Sequence, residues 1–169
     1  PARALVVMRD NDEAAEVARS LAGQGLIARI ANDAHQAWKA AQELRPDLAL
    51  IDARLPDTHG AELARLLREE PQFATLPVVL LADRDADSDR YDALMAGADE
   101  VLVKPVKSRH LAAVVEARLR QTRWLKTQAA LASVRDPQSG LYRRAHVLER
   151  LSSESAVGSA LLFVLVDRH

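Results

Sequence analysis

The stretch from Arg45 to Gly60 reads RPDLALIDARLPDTHG, and the rest of the fold follows from its character. Its centre, Leu48-Ala49-Leu50-Ile51, is apolar at every position, whereas a strand with one face in water alternates apolar and polar residues. A strand that is apolar throughout is buried on both faces. Pro46 separates this strand from the helical stretch before it, and a polar turn after Asp52 leads into another helix. The stretch therefore predicts an inner strand of a sheet that helices cover on both sides.

Further short runs rich in apolar and β-branched residues occur before and after this strand, and helical stretches separate them. These runs are Ala4–Met8, Leu26–Ile30, Val78–Leu81 and Val101–Val103. Strands that alternate with helices of ten or more residues form a parallel sheet with right-handed crossovers. The pattern predicts an α/β fold with five parallel strands.

Capping residues and helix breakers predict where the helices begin and end. Asn11 and Asp12 are expected to cap the first helix, and Gly23 with Gly25 to end it near Leu21 through left-handed backbone. The second helix is predicted to begin at Asn32 and Asp33 and to end at Leu44. The third is predicted from His59 to Glu70 and the fourth from Ser88 to Ala96.

The apolar face of the third helix is predicted to comprise Leu63, Leu66 and Leu67. The fifth helix begins near Ser108 and is expected to continue well past Gln121, because nothing breaks it before Pro137.

Composition excludes several classes of function. The 169 residues carry a net charge of -1 and include no Cys, so neither a nucleic-acid-binding surface nor a thiolate metal site is expected. The longest apolar run, Ala160–Val166, is far shorter than the roughly 20 residues that span a bilayer. We expect a soluble, cytoplasmic protein that binds neither nucleic acid nor membrane.

The functional crevice of an open parallel sheet lies beyond the carboxyl ends of its strands. The residues there are Met8, Arg9 and Asp10 after the first strand, Asp52 at the end of the third, Ala82 and Asp83 after the fourth, and Lys104 after the fifth. An acidic run also follows the fourth strand, with Asp at positions 83, 85, 87 and 89. It lacks the central Gly and the closing Glu of an EF-hand, so a solvated loop is predicted there.

Three segments, RPDLALIDARLPDTHG, PVVLLAD and AGADEVLVKP, together with the order of the elements, resemble the receiver domain of bacterial response regulators. The resemblance covers about Ala2 to Gln121. It implies a flavodoxin-like, doubly wound, five-stranded parallel sheet in the order 2-1-3-4-5, here with an extended C-terminal helix. It also implies that Asp52 is the phosphoacceptor position, that Lys104 pairs with the phosphate, and that the Lys104–Pro105 peptide is cis. The partner that the resemblance implies is a histidine kinase or another signalling protein.

The sequence departs from the family at the positions that support phosphorylation. Met8 and Arg9 stand where the family has two Mg²⁺-binding carboxylates, Ala82 replaces a hydroxyl residue, and Val101 replaces an aromatic residue. We therefore expect a degenerate, non-enzymatic receiver with no cofactor and no metal, in which Asp52 pairs directly or through water with Lys104 or Arg9.

Two alternatives remain open for this site. In one, Asp52 is a working phosphoacceptor that uses Mg²⁺, and a shift of one residue in the alignment would place Asp10 beside Asp52 at the metal. In the other, Asp52 is a leftover carboxylate that neighbouring cations neutralise. A flavodoxin-like cofactor binder is disfavoured, because the loops after the strands lack a phosphate-binding cradle rich in glycine or hydroxyl groups.

The segment Asp136–Arg144, DPQSGLYRR, resembles the opening of a GGDEF domain, the diguanylate cyclase family. Arg143 departs from the family's guanine-contacting Asn, and Leu165 departs from a metal-binding acid if Asp167 is the second acid. The implied domains are a receiver at 1–121, a helical linker at 122–134 and a GGDEF-like fragment at 135–169. The receiver would regulate or scaffold a cyclic-di-GMP signalling domain. In the alternative, phosphorylated Asp52 controls an active diguanylate cyclase.

Leu125 and Leu131 on the long helix need cover, which predicts a homodimer.

Overall fold

A computed structural model describes residues 1–83 and 87–134 of the chain. Its strands are β1 (Arg3–Val7), β2 (Ile27–Ala31), β3 (Leu48–Asp52), β4 (Val78–Ala82) and β5 (Glu100–Val103). Its helices are α1 (Asn11–Ala22), α2 (Ala34–Leu44), α3 (Gly60–Glu69), α4 (Asp87–Met95) and α5 (Ser108–Val134), with a short 3-10 helix at Pro71–Phe73. The GGDEF-like segment predicted at 135–169 lies outside the described residues.

The strands form one parallel sheet in the order β2-β1-β3-β4-β5. This confirms the predicted fold class. Every residue of β3 and β4 is buried, as the uninterrupted apolar runs predict. The register aligns Asp52 with Leu81 and Ala82 with Val103, so the carboxyl ends of the inner strands lie side by side.

Two apolar clusters pack on opposite faces of the sheet. One contains buried side chains of α2, α3 and α4, including Ala41, Leu63 and Phe73 of the neighbouring 3-10 helix. The other contains side chains of α1 and α5, including Leu21 and Leu111. The strands contribute alternate residues to the two clusters because successive side chains point to opposite faces.

Several local predictions about the helices are wrong in detail. Asp10, rather than Asn11 or Asp12, caps α1, because its carboxylate accepts hydrogen bonds from the backbone N–H groups of Asp12 and Glu13. Gly23 has right-handed backbone, and Gly25 alone adopts the left-handed conformation expected of both, with φ of 79°.

The predictions for α3 and for the acidic run also need correction. Leu66 is 38% exposed, whereas Leu63 and Leu67 are buried, because the inward face of α3 is completed by the small residues Gly60 and Ala64. Asp87 and Asp89 lie in α4 rather than in a solvated loop.

The long fifth helix is confirmed. It runs from Ser108 to Val134 without interruption. By its internal contacts the chain divides into two compact units, Pro1–Trp124 and Leu125–His169, and the first contains the whole sheet. Among the residues that the structure describes, no helix has both the length and the apolar character needed to cross a membrane.

Candidate functional site

The carboxyl ends of β1, β3, β4 and β5 place the predicted site residues in one crevice. Asp52 is the last residue of β3, Ala82 is the last residue of β4, and Lys104 directly follows β5. The Lys104–Pro105 peptide bond is cis. Asp52, Ala82 and Lys104 lie far apart in the sequence, and they come together because the parallel strands that carry them end at the same edge of the sheet.

Asp52 is a buried carboxylate with a direct cation partner. Its residue is only 4% exposed, and its Oδ2 accepts a hydrogen bond from Lys104 Nζ at 3.1 Å. Its Oδ1 accepts a longer bond from the backbone N–H of Arg54 at 3.4 Å. A buried carboxylate requires such partners, since transfer of an unpaired charge out of water is costly. The expected direct pairing of Asp52 therefore occurs, and it involves Lys104.

Lys104 also contacts two further carboxylates. The sequence placed Asp83 at the crevice but in a solvated loop, and it did not place Glu13 there. Lys104 Nζ lies 3.3 Å from Glu13 Oε2 and 3.4 Å from Asp83 Oδ1. The Lys104 side chain is 18% exposed, while those of Glu13 and Asp83 are about half exposed at 52% and 49%. One ammonium group thus lies among three carboxylates, and we call these four residues, Glu13, Asp52, Asp83 and Lys104, the lysine cluster.

The lysine cluster favours the charged form of its ammonium. Burial alone lowers the pKa of Lys104, but the hydrogen bond and the negative charge of Asp52 outweigh this effect. The charges of Glu13 and Asp83 act in the same direction, so the pKa of Lys104 is raised overall. The Lys104 ammonium therefore carries its full charge at neutral pH.

Both contacts had a signal in the sequence, although only Glu13 was missed as a residue of the crevice. Asp83 directly follows β4, at the same level as the other site residues, although its place in an acidic run suggested solvent. Glu13 lies on the first turn of α1, which begins at the crevice. Its contact with Lys104 depends on the rotation of α1 about its axis, and the cap formed by Asp10 helps to set that rotation.

The replaced family positions have no polar function in the crevice. Met8 is 1% exposed and belongs to the apolar cluster on the α1 and α5 face. Ala82 is fully buried and has no hydroxyl group, and Val101 packs against the opposite cluster. Arg9 is exposed, and it makes no hydrogen bond or ion pair with the residues described.

Asp10 is engaged by the helix that it caps. Its Oδ1 accepts hydrogen bonds from the backbone N–H groups of Asp12 at 2.8 Å and Glu13 at 3.0 Å. The bond from Glu13 is the largest cause of a lowered pKa at Asp10, and the bond from Asp12 is the next. Asn32 fixes the same loop by donating hydrogen bonds to the Met8 carbonyl and to Asn11 Oδ1. The loop after β1 is thus built around helix capping.

The residues present do not fit the Mg²⁺ ion that phosphorylation in this family would require. Met8 and Arg9, at the positions where the resemblance implies two carboxylates, are a buried thioether and a solvent-exposed guanidinium. Glu13, Asp52 and Asp83 all contact the same cation, Lys104 Nζ, which lies where a metal ion would have to bind them. In residues 1–83 and 87–134, no group of three or more Asp, Glu, His or Cys side chains has an arrangement suited to a metal ion.

Comparison with known proteins identifies one family over most of the chain. Residues 5–116 match the response regulator receiver domain. The chain is 38% identical over 119 residues to the DNA-binding response regulator MtrA of Mycobacterium tuberculosis, covering 70% of this chain and 51% of that protein. It is 31% identical over 170 residues to an uncharacterized 76.5 kDa protein of Thiocystis violacea, covering 98% of this chain and 24% of that protein. The chain thus spans about half or less of these relatives.

Solved structures give the same result. A putative response regulator from Chloroflexus aurantiacus superimposes with a TM-score of 0.69 at 28% identity, covering 71% of this chain and 98% of that one. The signal receiver domain of a signal transduction histidine kinase from Syntrophus aciditrophicus gives a TM-score of 0.68 at 28% identity, covering 72% and 92%.

Proposed function

The chain belongs to the response regulator receiver domain family, and from that premise we propose that it is a degenerate receiver, in which the Lys104 ammonium, rather than a divalent metal ion, supplies the positive charge at Asp52. The observation that carries this proposal is the lysine cluster. Its ammonium already pairs with Asp52 and with two further carboxylates. The module would signal through protein contacts rather than through a change of charge at Asp52.

The charges of the groups around Asp52 support this proposal. Phosphoryl transfer to a carboxylate places additional negative charge on the equatorial oxygens, and proteins counter that charge with a divalent ion and fixed donors. Here Ala82 can donate no hydrogen bond, Met8 can bind no Mg²⁺, and Lys104 is shared among three carboxylates. A phosphoryl group on Asp52 would also be repelled by Glu13 and Asp83.

The test is incubation of the chain with acetyl phosphate and Mg²⁺, followed by intact-mass measurement. We expect no phosphorylated species. A variant with the family residues restored, Met8→Asp, Arg9→Asp and Ala82→Thr, is the positive control and should gain a phosphoryl group that Asp52→Ala removes. Substantial phosphorylation of the unmodified chain, lost on Asp52→Ala, would overturn the proposal and establish Asp52 as a working phosphoacceptor. The second part of that alternative, control of an active diguanylate cyclase, would then be tested with the complete gene product.

We further propose that the receiver comprises residues 1–121 and passes its signal through a linker at 122–134 to a GGDEF-like domain that begins at 135. The motif at Asp136–Arg144 and the uninterrupted α5 support this arrangement. The complete gene product, incubated with GTP, provides the test. Synthesis of cyclic-di-GMP identifies an active cyclase as the output, whereas a complete gene that encodes no GGDEF domain contradicts the proposal.

The proposed partners are a histidine kinase or another signalling protein and a second copy of this chain, in the cytoplasm. Three large apolar side chains on α5, Trp124, Leu125 and Leu131, are 61%, 45% and 40% exposed, which favours self-association. The near-zero net charge supports neither nucleic acid nor acidic membrane as a partner. A monomer at all micromolar concentrations by light scattering would contradict the dimer.

A further inference from the structure

The edge strand β2 exposes apolar side chains on both faces of the sheet. It is the first strand in the sheet order, so within the described part of the chain one of its sides has no neighbouring strand. Successive side chains of a strand point to opposite faces, so Ile27 lies on the face that α2 covers and Ile30 on the face that α1 covers. These side chains are 53% and 39% exposed. Neither helix therefore covers this edge, and β2 has no Pro, Lys or bulge of the kind that protects exposed edges.

The unpaired backbone groups of this edge belong to two residues. Every second residue of β2, beginning at Ile27, bonds to β1 through its N–H and C=O groups. The corresponding groups of Ala28 and Ile30 point the other way, and they have no partner in residues 1–83 and 87–134. Beyond them the N–H groups are already used, because Leu26 donates to a carbonyl of α1 and Asn32 to a side chain of α2. The edge thus offers one N–H and one C=O at each of two residues.

Two copies of this edge are complementary when they pair antiparallel about a two-fold axis at Arg29. Ala28 of one copy then lies opposite Ile30 of the other, so a small side chain packs beside a large one. Each such pair exchanges two hydrogen bonds, and the two pairs together use every free group of both edges. A register displaced in either direction would place a free carbonyl opposite the N–H of Leu26 or Asn32, which is already used. Self-complementarity of this kind is the requirement for a two-fold interface.

The charges at the axis are balanced within each copy. The two Arg29 side chains would lie directly opposite each other, and like charges in that position are destabilising. Each Arg29, however, lies 2.8 Å from Glu43 of its own α2, and the two side chains are 46% and 47% exposed. A second copy therefore brings as much negative as positive charge to the axis.

We propose that β2 is a homodimer edge, at which two copies pair antiparallel about Arg29 and join their five-stranded sheets into one. This rests on the self-association proposed above and assigns it a surface separate from the apolar end of α5. The occupant is a second copy, because the free hydrogen-bonding groups, the apolar side chains and the charges all match under one two-fold axis.

Removal of a single outward N–H group tests the backbone pairing. In Ala28→Pro the lost N–H is one that points away from β1, so the fold should be kept, which circular dichroism checks. Each copy loses one donor, and the dissociation constant in sedimentation velocity should rise about 10-fold or more. Ile30→Lys places a charge on the same edge through an exposed side chain and should have a similar effect. Leu66→Lys on α3, with 38% exposure against 39% for Ile30, is the matched control and should leave the dimer unchanged.

The charges at the axis give a second test. Glu43→Gln leaves the two Arg29 side chains facing each other without their counter-charges, so dimerisation at low salt should weaken by about 3- to 10-fold. The double variant Arg29→Thr/Glu43→Gln removes the repulsion and should pair at least as well as the unmodified chain. Glu62→Gln breaks a similarly exposed ion pair with Arg65 on α3 and should have no effect.

Cross-linking measures the register directly. The chain contains no Cys, so one introduced thiol reports one site. Residues that face each other between the hydrogen-bonded pairs have Cα atoms about 4.5 Å apart, within the roughly 4.4–6.8 Å that a disulfide needs. Arg29→Cys should therefore cross-link on mild oxidation. Ile27→Cys should not, because the two copies of residue 27 would lie about 13 Å apart along the strands.

The outcomes separate this proposal from those on which it rests. A dimer that tolerates Ala28→Pro and Ile30→Lys, fails to cross-link through Arg29→Cys and is lost in Leu125→Ser/Leu131→Ser overturns the β2 edge and assigns self-association to the end of α5. A monomeric unmodified chain overturns both. The phosphorylation test of the degenerate site is independent, since β2 contributes no residue to the lysine cluster.

Discussion

Gly60 shows how closely the backbone is packed around the candidate phosphoacceptor. A Cβ atom at this position would lie 2.1 Å from the carbonyl oxygen of Asp52 and 3.0 Å from Leu80 Cδ2. The Gly60 N–H also donates a hydrogen bond to the Ala53 carbonyl, which fixes the start of α3 against the end of β3. Glycine is needed here for a close approach of two backbones rather than for an unusual backbone angle.

We predict that Gly60→Ala destabilises the protein by about 3 kcal/mol or more, because neither backbone can move without disturbing the sheet. Urea denaturation at pH 7 measures the change. Gly23→Ala is the matched control: its Cβ would lie 3.4 Å from the nearest atom in right-handed backbone, so a change within about 0.5 kcal/mol is expected there. Equal effects of the two substitutions would contradict the steric explanation.

Lys104 is the residue on which the charge balance of the crevice depends. The substitution Lys104→Met keeps most of the side-chain volume but leaves the buried Asp52 facing Glu13 and Asp83 without a cation. Removing one partner of a buried ion pair costs about 3–5 kcal/mol, and the partial exposure of Lys104 places the expected loss at about 3 kcal/mol. The free energy of unfolding at pH 7 tests this. A neutral or stabilising effect would show that the ion pairs contribute nothing.

The same substitution predicts a dependence on alkaline pH. Because the folded protein raises the pKa of Lys104, its stabilising contribution is complete below the unfolded value, about 10.4, and is lost as pH rises through the folded value. The difference in unfolding free energy between the unmodified chain and Lys104→Met should therefore stay constant from about pH 7 to 9 and decrease at higher pH. A difference that grows with rising alkaline pH would contradict the assignment of the raised pKa.

At the level of elements, Arg68 connects α3 to the two segments at the opposite end of the sheet from the crevice. Its Nε donates to the Gly97 carbonyl at 3.1 Å, and its Nη1 donates to the carbonyls of Ala74 at 2.9 Å and Leu76 at 2.7 Å. Its Nη2 pairs with Asp99, which also accepts from the backbone N–H of Val78. A single guanidinium thus ties α3 to the loop before β4 and to the loop before β5.

We predict that Arg68→Lys destabilises the protein by about 2 kcal/mol, because an ammonium group cannot reach the same set of carbonyls in one fixed geometry. Thermal unfolding gives the measurement. Arg65→Lys on the same helix is the control. Among the residues that the structure describes, Arg65 pairs only with the exposed Glu62 and Glu69, so its substitution should change stability by less than about 0.5 kcal/mol. If the two substitutions have the same effect, the carbonyl contacts of Arg68 contribute little.

The whole receiver is held by two apolar clusters that share one sheet. Ile51 belongs to the cluster under α2 and α3, and Val115 belongs to the cluster under α1 and α5. Both residues are fully buried. Because the sheet separates them, a cavity at one site leaves the packing at the other unchanged.

Ile51→Val should cost about 1 kcal/mol and Val115→Ala about 2 kcal/mol, from lost burial and incomplete relaxation. We predict that the double variant loses the sum of these values to within about 0.5 kcal/mol and still unfolds in a single transition. Circular dichroism in urea tests both points. Two transitions, or strong non-additivity, would contradict the description of the sheet as one cooperative unit.

The sequence alone determined the parallel sheet and the long α5, and the family resemblance implied the strand order. For Asp52 the sequence predicted pairing with Lys104 or Arg9, and the structure selects Lys104. The sheet follows from the distribution of apolar residues along the chain, and the meeting of Asp52, Arg9 and Lys104 at one edge follows from the rule that parallel strands end at the same edge. The sequence did not decide which residue caps α1. Asp10, Asn11 and Asp12 can all act as caps, and neighbouring contacts select among them.

Only the tertiary structure decided the rest of the site. The contact of Lys104 with Glu13 depends on the rotation of α1, and its contact with Asp83 depends on the direction of the chain after β4. The approach of Gly60 to the Asp52 carbonyl depends on how α3 packs against β3. Periodicity fixes which face of an element is buried, but distances between polar groups on different elements are set by the packing of whole side chains between them. The charge balance around Asp52 therefore depends on the folded chain, because the sequence gives the charged residues but not which of them contact Lys104.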